Sequence, residues 1–211
     1  MAHSEISIVN LALAKLGAEA IRSFDENNKR ARLSDALYDS LKNQLLAQYD
    51  WAFARNLAHL RERLDVEVLP GEKAYKLPAD CIIPRSIYPR GHKIPWEIRR
   101  GNLILTAPLD KVYIFYTSRD IGPTEYSEAF VNYLAHVLAI ALCPSITNDE
   151  KLLTQLQEQL EAIELRAYEL EANQENETRA PDSRPQDDTF VNPEGKDFTS
   201  PDTWHWLEEN R

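Results

Sequence analysis

Side chains that could do chemistry are plentiful in this 211-residue chain, but their spacing forms no familiar catalytic pattern. The five histidines share no spacing, and the six glycines are scattered singly rather than gathered into a phosphate-binding loop. No GxSxG, HExxH or EF-hand spacing occurs. With 34 acidic residues, the two carboxylates that a glycosidase needs would arise by chance. We therefore expect no catalytic residue, metal or cofactor.

The cysteines and the central histidine favour structural roles. Cys81 and Cys143 lie far apart with no CxxC motif, which predicts two reduced thiols and argues against a structural zinc site. His136 lies in an apolar helical segment, which favours a core or interface histidine. The longest apolar run, residues 137–143, is shorter than a bilayer span of about 20 residues, and the start lacks signal-peptide features. We expect neither secretion nor membrane insertion.

Charge is distributed unevenly. The net charge of -10 argues against a protein that coats nucleic acid, yet residues 53–119 carry twelve Lys/Arg against seven Asp/Glu. The basic candidates are Arg85, Arg90, Lys93, Arg99 and Arg100. They either solvate loops and pair with acids of a neighbouring subunit, or face a nucleic-acid channel or acidic partner. Any DNA contact would be independent of sequence, because no recognition-helix or zinc-finger pattern is present.

The last segment, residues 174–211, has ten acids against four bases, repeated prolines and few aliphatic residues. This composition predicts an extended tail that cannot bury enough apolar surface to fold alone. The tail nevertheless carries apolar side chains of the type that anchor a segment on a partner: Phe190, Phe198, Trp204, Trp206 and Leu207. We expect these residues to dock on another subunit or a larger assembly, and packing back onto the same protein is the alternative.

The elements that must position these residues follow from hydrophobic periodicity. Helices are predicted over 4–17, 29–52, 125–142 and 148–172, with Ser4 or Ser7 capping the first. We expect Pro144 to end the third helix and Thr147 or Asn148 to cap the fourth. The β-rich segment 55–119 is inserted between the second and third helices. The fold class is therefore α+β, with a mostly helical antiparallel bundle of about four helices and a small antiparallel β-sheet. Residues 1–173 would form one domain, and 174–211 the tail.

Three features of the β-rich segment are specific. Pro84 predicts that the strand around it lies at an edge, because proline cannot donate to a central ladder. The sequence from Trp96 to Thr106 predicts a hairpin that turns at residues 100–102. Residues 112–117 form the strongest strand signal, being β-branched or aromatic throughout.

The change from helical to strand patterning falls on the aromatic segment 49–54, which contains Tyr49, Trp51 and Phe53. Two aromatic residues separated by a small alanine are typical of a helix that ends against a sheet. We expect Trp51 and Phe53 to be buried as a packing hinge, and the three aromatics to form a structural joint between the helices and the sheet.

These segments, in this order, resemble the head-to-tail adaptor (connector) proteins of short-tailed bacteriophages, of the tail tubular protein A family. The resemblance covers about residues 4–172. Its elements are Ile8–Gly17, Ile21–Glu26, Tyr49–Ala54, Tyr75–Ile82, Tyr113–Thr117 and Phe130–Ala135. Each element is mainly apolar spacing, and it is their order together with the aromatic cluster that gives specificity.

The resemblance implies a structural virion protein made in the host cytoplasm and located at the head-tail junction. Copies would form a ring, usually dodecameric, that joins the portal protein to the tail nozzle protein and extends the channel used in genome packaging and DNA ejection. Double-stranded DNA would touch this channel transiently and without sequence preference, and no membrane is involved. Two alternatives remain: a virion-associated peptidoglycan hydrolase that uses a carboxylate pair, and a helical scaffold that binds a host protein.

Overall fold

The computed structural model describes residues 3–88, 95–105 and 111–178. Contacts within the chain divide it between residues 173 and 174, and the cores described below belong to the first unit. Four α-helices are present in the described ranges: α1 (Glu5–Lys15), α2 (Lys29–Gln48), α3 (Glu128–Ile146) and α4 (Glu150–Thr178). Short 3₁₀ turns at Ala52–Ala54 and Pro123–Glu125 flank the β-rich segment. α2 is therefore shorter than predicted, and α4 is longer.

Polar side chains begin each helix, as expected for groups that must satisfy the first free backbone N–H groups. Ser4 and Ser7 form a capping box at α1, and the Asn28 side chain accepts from the Ala31 amide at α2. Ser127 caps α3. The predicted cap of α4 was wrong, because Asp149 Oδ1 accepts from the amides of Lys151 and Leu152 at 2.9 and 3.1 Å.

The prediction that Pro144 ends α3 was also wrong, since the helix continues to Ile146. Pro144 lies in the last turn, where its missing N–H removes a single helical hydrogen bond. Thr147 then closes α3 by donating its amide to the Cys143 carbonyl. α3 is long and apolar enough to span a membrane by length and composition alone, but more than half of that stretch is buried inside the protein.

The β-rich segment forms two three-stranded antiparallel sheets rather than the single sheet predicted. Sheet A has the order β1 (Arg55–Leu60), β6 (Val112–Ser118), β3 (Cys81–Tyr88). Sheet B has the order β2 (Lys73–Lys76), β5 (Asn102–Leu105), β4 (Trp96–Arg99). The α+β class is confirmed, and β6, the strongest predicted strand, is the centre of sheet A. The antiparallel arrangement of the helices stays a prediction.

The two local predictions in the sheets are confirmed. Pro84 lies in the edge strand β3, and the register with β6 shifts between Pro84 and Ser86. β4 and β5 form a hairpin in which Arg99 pairs with Asn102. Its two turn residues, Arg100 and Gly101, have φ values of 51° and 74°. Two consecutive positive φ angles are what the type I′ turn of a tight hairpin requires.

Two apolar cores support these elements. The helical core combines buried residues of all four helices with Trp51 and Ala54. The sheet core takes residues from both sheets: Leu60, Tyr75, Leu103, Leu105, Val112, Ile114 and Tyr116. Both cysteines are free thiols, as predicted. His136 is a buried core residue whose Nε2 is 2.8 Å from the Leu156 carbonyl oxygen.

Candidate functional site

The C-terminal end of α2 is the point where the helices meet sheet A. The last four carbonyls of a helix, here those of Leu45 to Gln48, have no partner within the helix. α2 also has no basic residue in its last turn that could serve them. Other parts of the chain must therefore supply the donors.

Trp51 supplies the first donor. Its indole Nε1 donates to the Leu45 carbonyl at 2.9 Å, and the side chain is completely buried. The chain can fold back in this way because Tyr49 is extended and ends α2. The expected burial of Trp51 is confirmed.

Arg85, on strand β3, supplies the other donors. Its Nη2 lies 3.2, 3.1 and 2.5 Å from the carbonyl oxygens of Leu46, Ala47 and Tyr49. Its Nε donates to Thr117 Oγ1 on β6 at 2.9 Å. A cation beside the carbonyl end of a helix is also favoured by the helix dipole. Trp51 and Arg85 together therefore satisfy three of the four terminal carbonyls of α2, and Arg85 ties them to sheet A.

This position corrects the prediction for Arg85. The side chain is only 19% exposed and its hydrogen bonds lie inside the fold, so it is not a solvent-facing loop residue. Burial lowers the pKa of Arg85 from its ordinary value, while Asp50, 3.8 Å away, acts in the opposite direction. Asp50 also pairs with Arg55 at 2.9 Å, so the acid bridges the end of α2 to the first residue of β1.

An aromatic cluster fills the other side of the joint. The Trp51 ring lies 5.0 Å from Phe130 and 5.9 Å from Phe53, measured between centroids. Phe53 in turn lies 5.5 Å from Tyr126. Tilted and edge-to-face pairs of this kind add about 0.5–1.5 kcal/mol each beyond the area they bury. Phe53, predicted to be buried, is partly buried and packs against the helical core.

Two residues of α4 complete the joint and were missed by the sequence argument. Tyr168 stacks on Tyr49 with a centroid distance of 4.6 Å and an interplanar angle of 13°. Glu171 is 4% exposed, and its Oε1 accepts from the Ala52 amide at 2.8 Å. From the sequence alone, an acidic residue on the long, Glu-rich helix α4 is predicted to be exposed to solvent. The signal that could have found it is its spacing of three from Tyr168 and four from Ala167, which places it on the buried face.

The basic hairpin is the second region of interest. Arg99 forms a two-pronged ion pair with Glu72, at 2.9 and 3.3 Å, and also contacts Glu97. This pairing lowers the pKa of the Glu72 carboxyl, with Arg99 as the main cause. Arg100 is exposed at the turn, and no ion pair of Arg100 occurs within the described ranges. Beside the turn, a groove of about 570 Å³ opens between residues 63–69 and the hairpin.

The remaining predicted site residues lie outside the described residues. They are Arg90 and Lys93 between β3 and β4, and the tail residues Phe190, Phe198, Trp204, Trp206 and Leu207. The structure therefore brings Tyr49, Trp51, Phe53 and Arg85 together at the joint, and places Arg99 and Arg100 apart from them on sheet B.

Polar clusters of the described sheets have structural roles. Asp80 accepts hydrogen bonds from Tyr116 and Ser118 at 2.9 and 2.6 Å. Burial raises the pKa of Asp80, but the two hydroxyl donors, a backbone hydrogen bond of Asp80 and the charge of Arg119 together hold the pKa below its ordinary value. Within residues 3–88, 95–105 and 111–178, no group of three or more His, Cys, Asp or Glu is arranged to hold a metal ion.

Comparison with known proteins does not assign this chain to a family. No protein-family model matches the chain, and no curated protein is similar to it.

Proposed function

We propose that this chain is a head-to-tail adaptor of a short-tailed bacteriophage, a structural virion protein without enzymatic activity. Copies of it form a ring, usually dodecameric, that joins the portal protein to the tail nozzle and extends the DNA channel. The observation that carries the proposal is the joint at the end of α2, where the resembling segment Tyr49–Ala54 is held by Trp51, Arg85 and Glu171. A ring requires that the helices and sheets of every subunit keep the same relative orientation.

The exposed apolar side chains of both halves support the same proposal. The helices expose Leu11, Leu165 and Leu170 at 46%, 57% and 43%, and sheet B exposes Trp96 and Ile98. In the proposed ring, contact with neighbouring copies would remove these side chains from water. A ring subunit needs two such surfaces, because head-to-tail contacts join different patches of neighbouring copies.

The basic hairpin fits the same assembly. Arg99 is held by Glu72 and Glu97, whereas Arg100 remains exposed at the turn. In the proposed ring this turn faces the tail or the channel. The net charge of -10 keeps passing DNA from binding tightly, since sustained binding to phosphates requires a broad basic surface.

The test is to mix the purified chain with portal protein, measure the mass of the complex and image it. We expect a ring of this chain stacked on the portal, usually with twelve copies. A monomer in the absence of portal is compatible with the proposal, because the portal can template the ring. A stable dimer that ignores the portal would overturn it.

Two variants sharpen this test. Arg85→Met should reduce ring formation, because it releases sheet A from α2. Arg30→Met is the matched control, since the partly buried Arg30 pairs with Glu19 at 2.9 Å near the opposite end of α2 from the joint. A cell-wall turbidity assay on the same preparations tests the hydrolase alternative, and clearing of the suspension would support that alternative instead.

A further inference from the structure

Strand β4 is the outer strand of sheet B. Sheet B has the order β2-β5-β4, and no described strand pairs with the outer side of β4. In a hairpin with a two-residue turn, the two residues that flank the turn exchange both backbone hydrogen bonds. Hydrogen-bonded and non-hydrogen-bonded pairs then alternate along the two strands. Arg99 and Glu97 therefore bond to β5, whereas the backbone groups of Trp96 and Ile98 point to the open edge.

The side chains along this edge are apolar. Trp96 and Ile98 are 37% and 44% exposed, and they pair with Leu105 and Leu103, which are fully buried. Residues paired across a sheet lie on the same face, so the apolar face of sheet B continues past its core onto an uncovered strand. Natural proteins rarely leave an apolar edge open, because it is a template for another strand.

The charge beside the edge indicates what the added strand should carry. Glu97 lies between Trp96 and Ile98, and the exposed Arg100 follows them without an ion pair in the described ranges. A complementary strand would alternate large apolar side chains and place an acid beside Arg100. The segment of this chain with that pattern is Thr203-Trp204-His205-Trp206-Leu207, followed by Glu208 and Glu209.

We propose that β4 accepts Thr203–Leu207 of a second copy of this chain as an added strand. This proposal rests on the proposed ring, because it supplies the contact between neighbouring subunits. In a parallel alignment, Trp204 lies beside Trp96 and Trp206 beside Ile98. His205 then lies beside Glu97, and Glu208 beside Arg100. Backbone hydrogen bonds hold the strand, and the alternating side chains select it.

The length of the chain permits this exchange. Residues 179–202 lie between the end of α4 and the docking segment, and 24 residues can reach about 80 Å when extended. Each copy has one β4 edge and one tail, so the contact is head-to-tail and can close a ring.

Cysteine cross-linking between full-length chains tests the contact. One preparation carries Ile98→Cys and the other Trp206→Cys, and the two are mixed and oxidised near pH 8. The natural thiols compete poorly, because burial raises the pKa of Cys81 to about 11 and Cys143 is buried. We expect a mixed disulfide-linked dimer. Leu57→Cys mixed with Trp206→Cys is the control, since Leu57 is 51% exposed on β1 of the other sheet, and it should cross-link far less.

A binding measurement gives an independent readout. A labelled peptide of residues 199–211 is titrated onto the full chain carrying Trp204→Ala and Trp206→Ala, which removes competition by the resident tail. We expect saturable binding that Ile98→Lys weakens about tenfold or more and Leu57→Lys leaves unchanged. Equal binding by both lysine variants would overturn the proposal.

The remaining outcomes separate this contact from the ring itself. Equal cross-linking in the Ile98 and Leu57 mixtures overturns the docking proposal. A chain carrying both Ile98→Cys and Trp206→Cys that closes only an internal disulfide shows docking of a tail on its own subunit, which also overturns it. Rings on the portal without the cross-link leave the adaptor function standing. Cross-linked chains that never form rings support the strand contact and contradict the adaptor function.

Discussion

Among the described residues, twenty-four buried apolar residues form the core among the helices, whereas seven form the core of the two sheets. Hydrophobic stabilisation grows roughly with the apolar area removed from water. The helical part therefore has ample internal support, while the sheets depend much more on what attaches them. The contacts at the end of α2 therefore matter most for the sheets, because they attach sheet A to the larger helical core.

The two parts also differ in what they leave uncovered. α3 is buried along most of its length, but β4 leaves Trp96, Glu97 and Ile98 exposed. Both parts expose apolar side chains, but only the thinly packed part exposes them along a described strand edge. The two largest expected effects test this contrast, and a third, smaller effect tests the helical core alone.

Replacing the buried tryptophan of the joint should have the largest effect. Trp51→Ala removes the indole from the aromatic cluster and leaves the Leu45 carbonyl without its donor. We expect the free energy of unfolding to fall by about 3–5 kcal/mol, measured by urea unfolding.

The matched control is the exposed tryptophan of the open edge. Trp96→Ala should lower the free energy of unfolding of the monomer by about 1–2 kcal/mol, clearly less than Trp51→Ala, since the Trp96 side chain is already 37% exposed. If the two tryptophan variants unfolded at the same urea concentration, the contrast between a supporting core and an uncovered edge would be wrong.

Removing the guanidinium that links β3 to α2 should have an intermediate effect. Arg85→Met keeps the apolar stem but leaves the Leu46 and Ala47 carbonyls without this donor. We expect a loss of about 1.5–3 kcal/mol, the range for hydrogen bonds to a charged group. Amide exchange should accelerate in sheet A more than in α1 and α3.

Arg85→Lys distinguishes charge from geometry. Lysine keeps the positive charge but lacks the planar fork that reaches Thr117 and the α2 carbonyls together. It should recover only part of the lost stability. Equal acceleration of exchange across helices and sheets in Arg85→Met would show that Arg85 does not link the two parts selectively.

The smallest effect concerns acid stability and tests the helical core alone. Burial lowers the pKa of His136, so the folded chain binds fewer protons than the unfolded chain once pH falls below about 6.5. The stability that His136 contributes is therefore complete above that pH and is lost as pH falls, by at most about 1.4 kcal/mol per pH unit.

The check compares urea unfolding from pH 7.5 to 5 for the natural chain and His136→Gln. Glutamine can place an amide nitrogen near the position of Nε2, which donates to Leu156, and it does not titrate. The other histidines are common to both proteins, so their contributions cancel. An identical pH slope in both proteins would mean that His136 is not the group being titrated.

Features set by neighbouring residues were predictable from the sequence. The Ser4 cap, the turn at Arg100 and Gly101 and the edge position of Pro84 each follow from the geometry of a few adjacent residues. The α+β class likewise follows from where helical periodicity gives way to alternation. The burial of Trp51 was predicted correctly, because a large aromatic side chain where a helix meets a sheet is stabilised by leaving water.

Features that depend on residues distant in sequence were not predictable. Arg85 was expected in a solvent-facing loop, yet it lies 36 residues or more beyond the carbonyls that it caps. Glu171 bonds an amide 119 positions away. No local pattern distinguishes such side chains from ordinary charged surface residues, since their partners are defined only once the helices and sheets have packed.

By itself, the sequence determined the order of helices and strands, the local turns and the uneven charge, because these depend on backbone preferences and periodicity over a few residues. The tertiary structure alone decided that the β-rich segment divides into two sheets, that Arg85 and Trp51 cap α2, and that β4 has an apolar edge on which no described strand pairs. These outcomes depend on which backbone hydrogen-bonding groups still lack a partner after the elements pack. That set of groups is defined only in the folded chain.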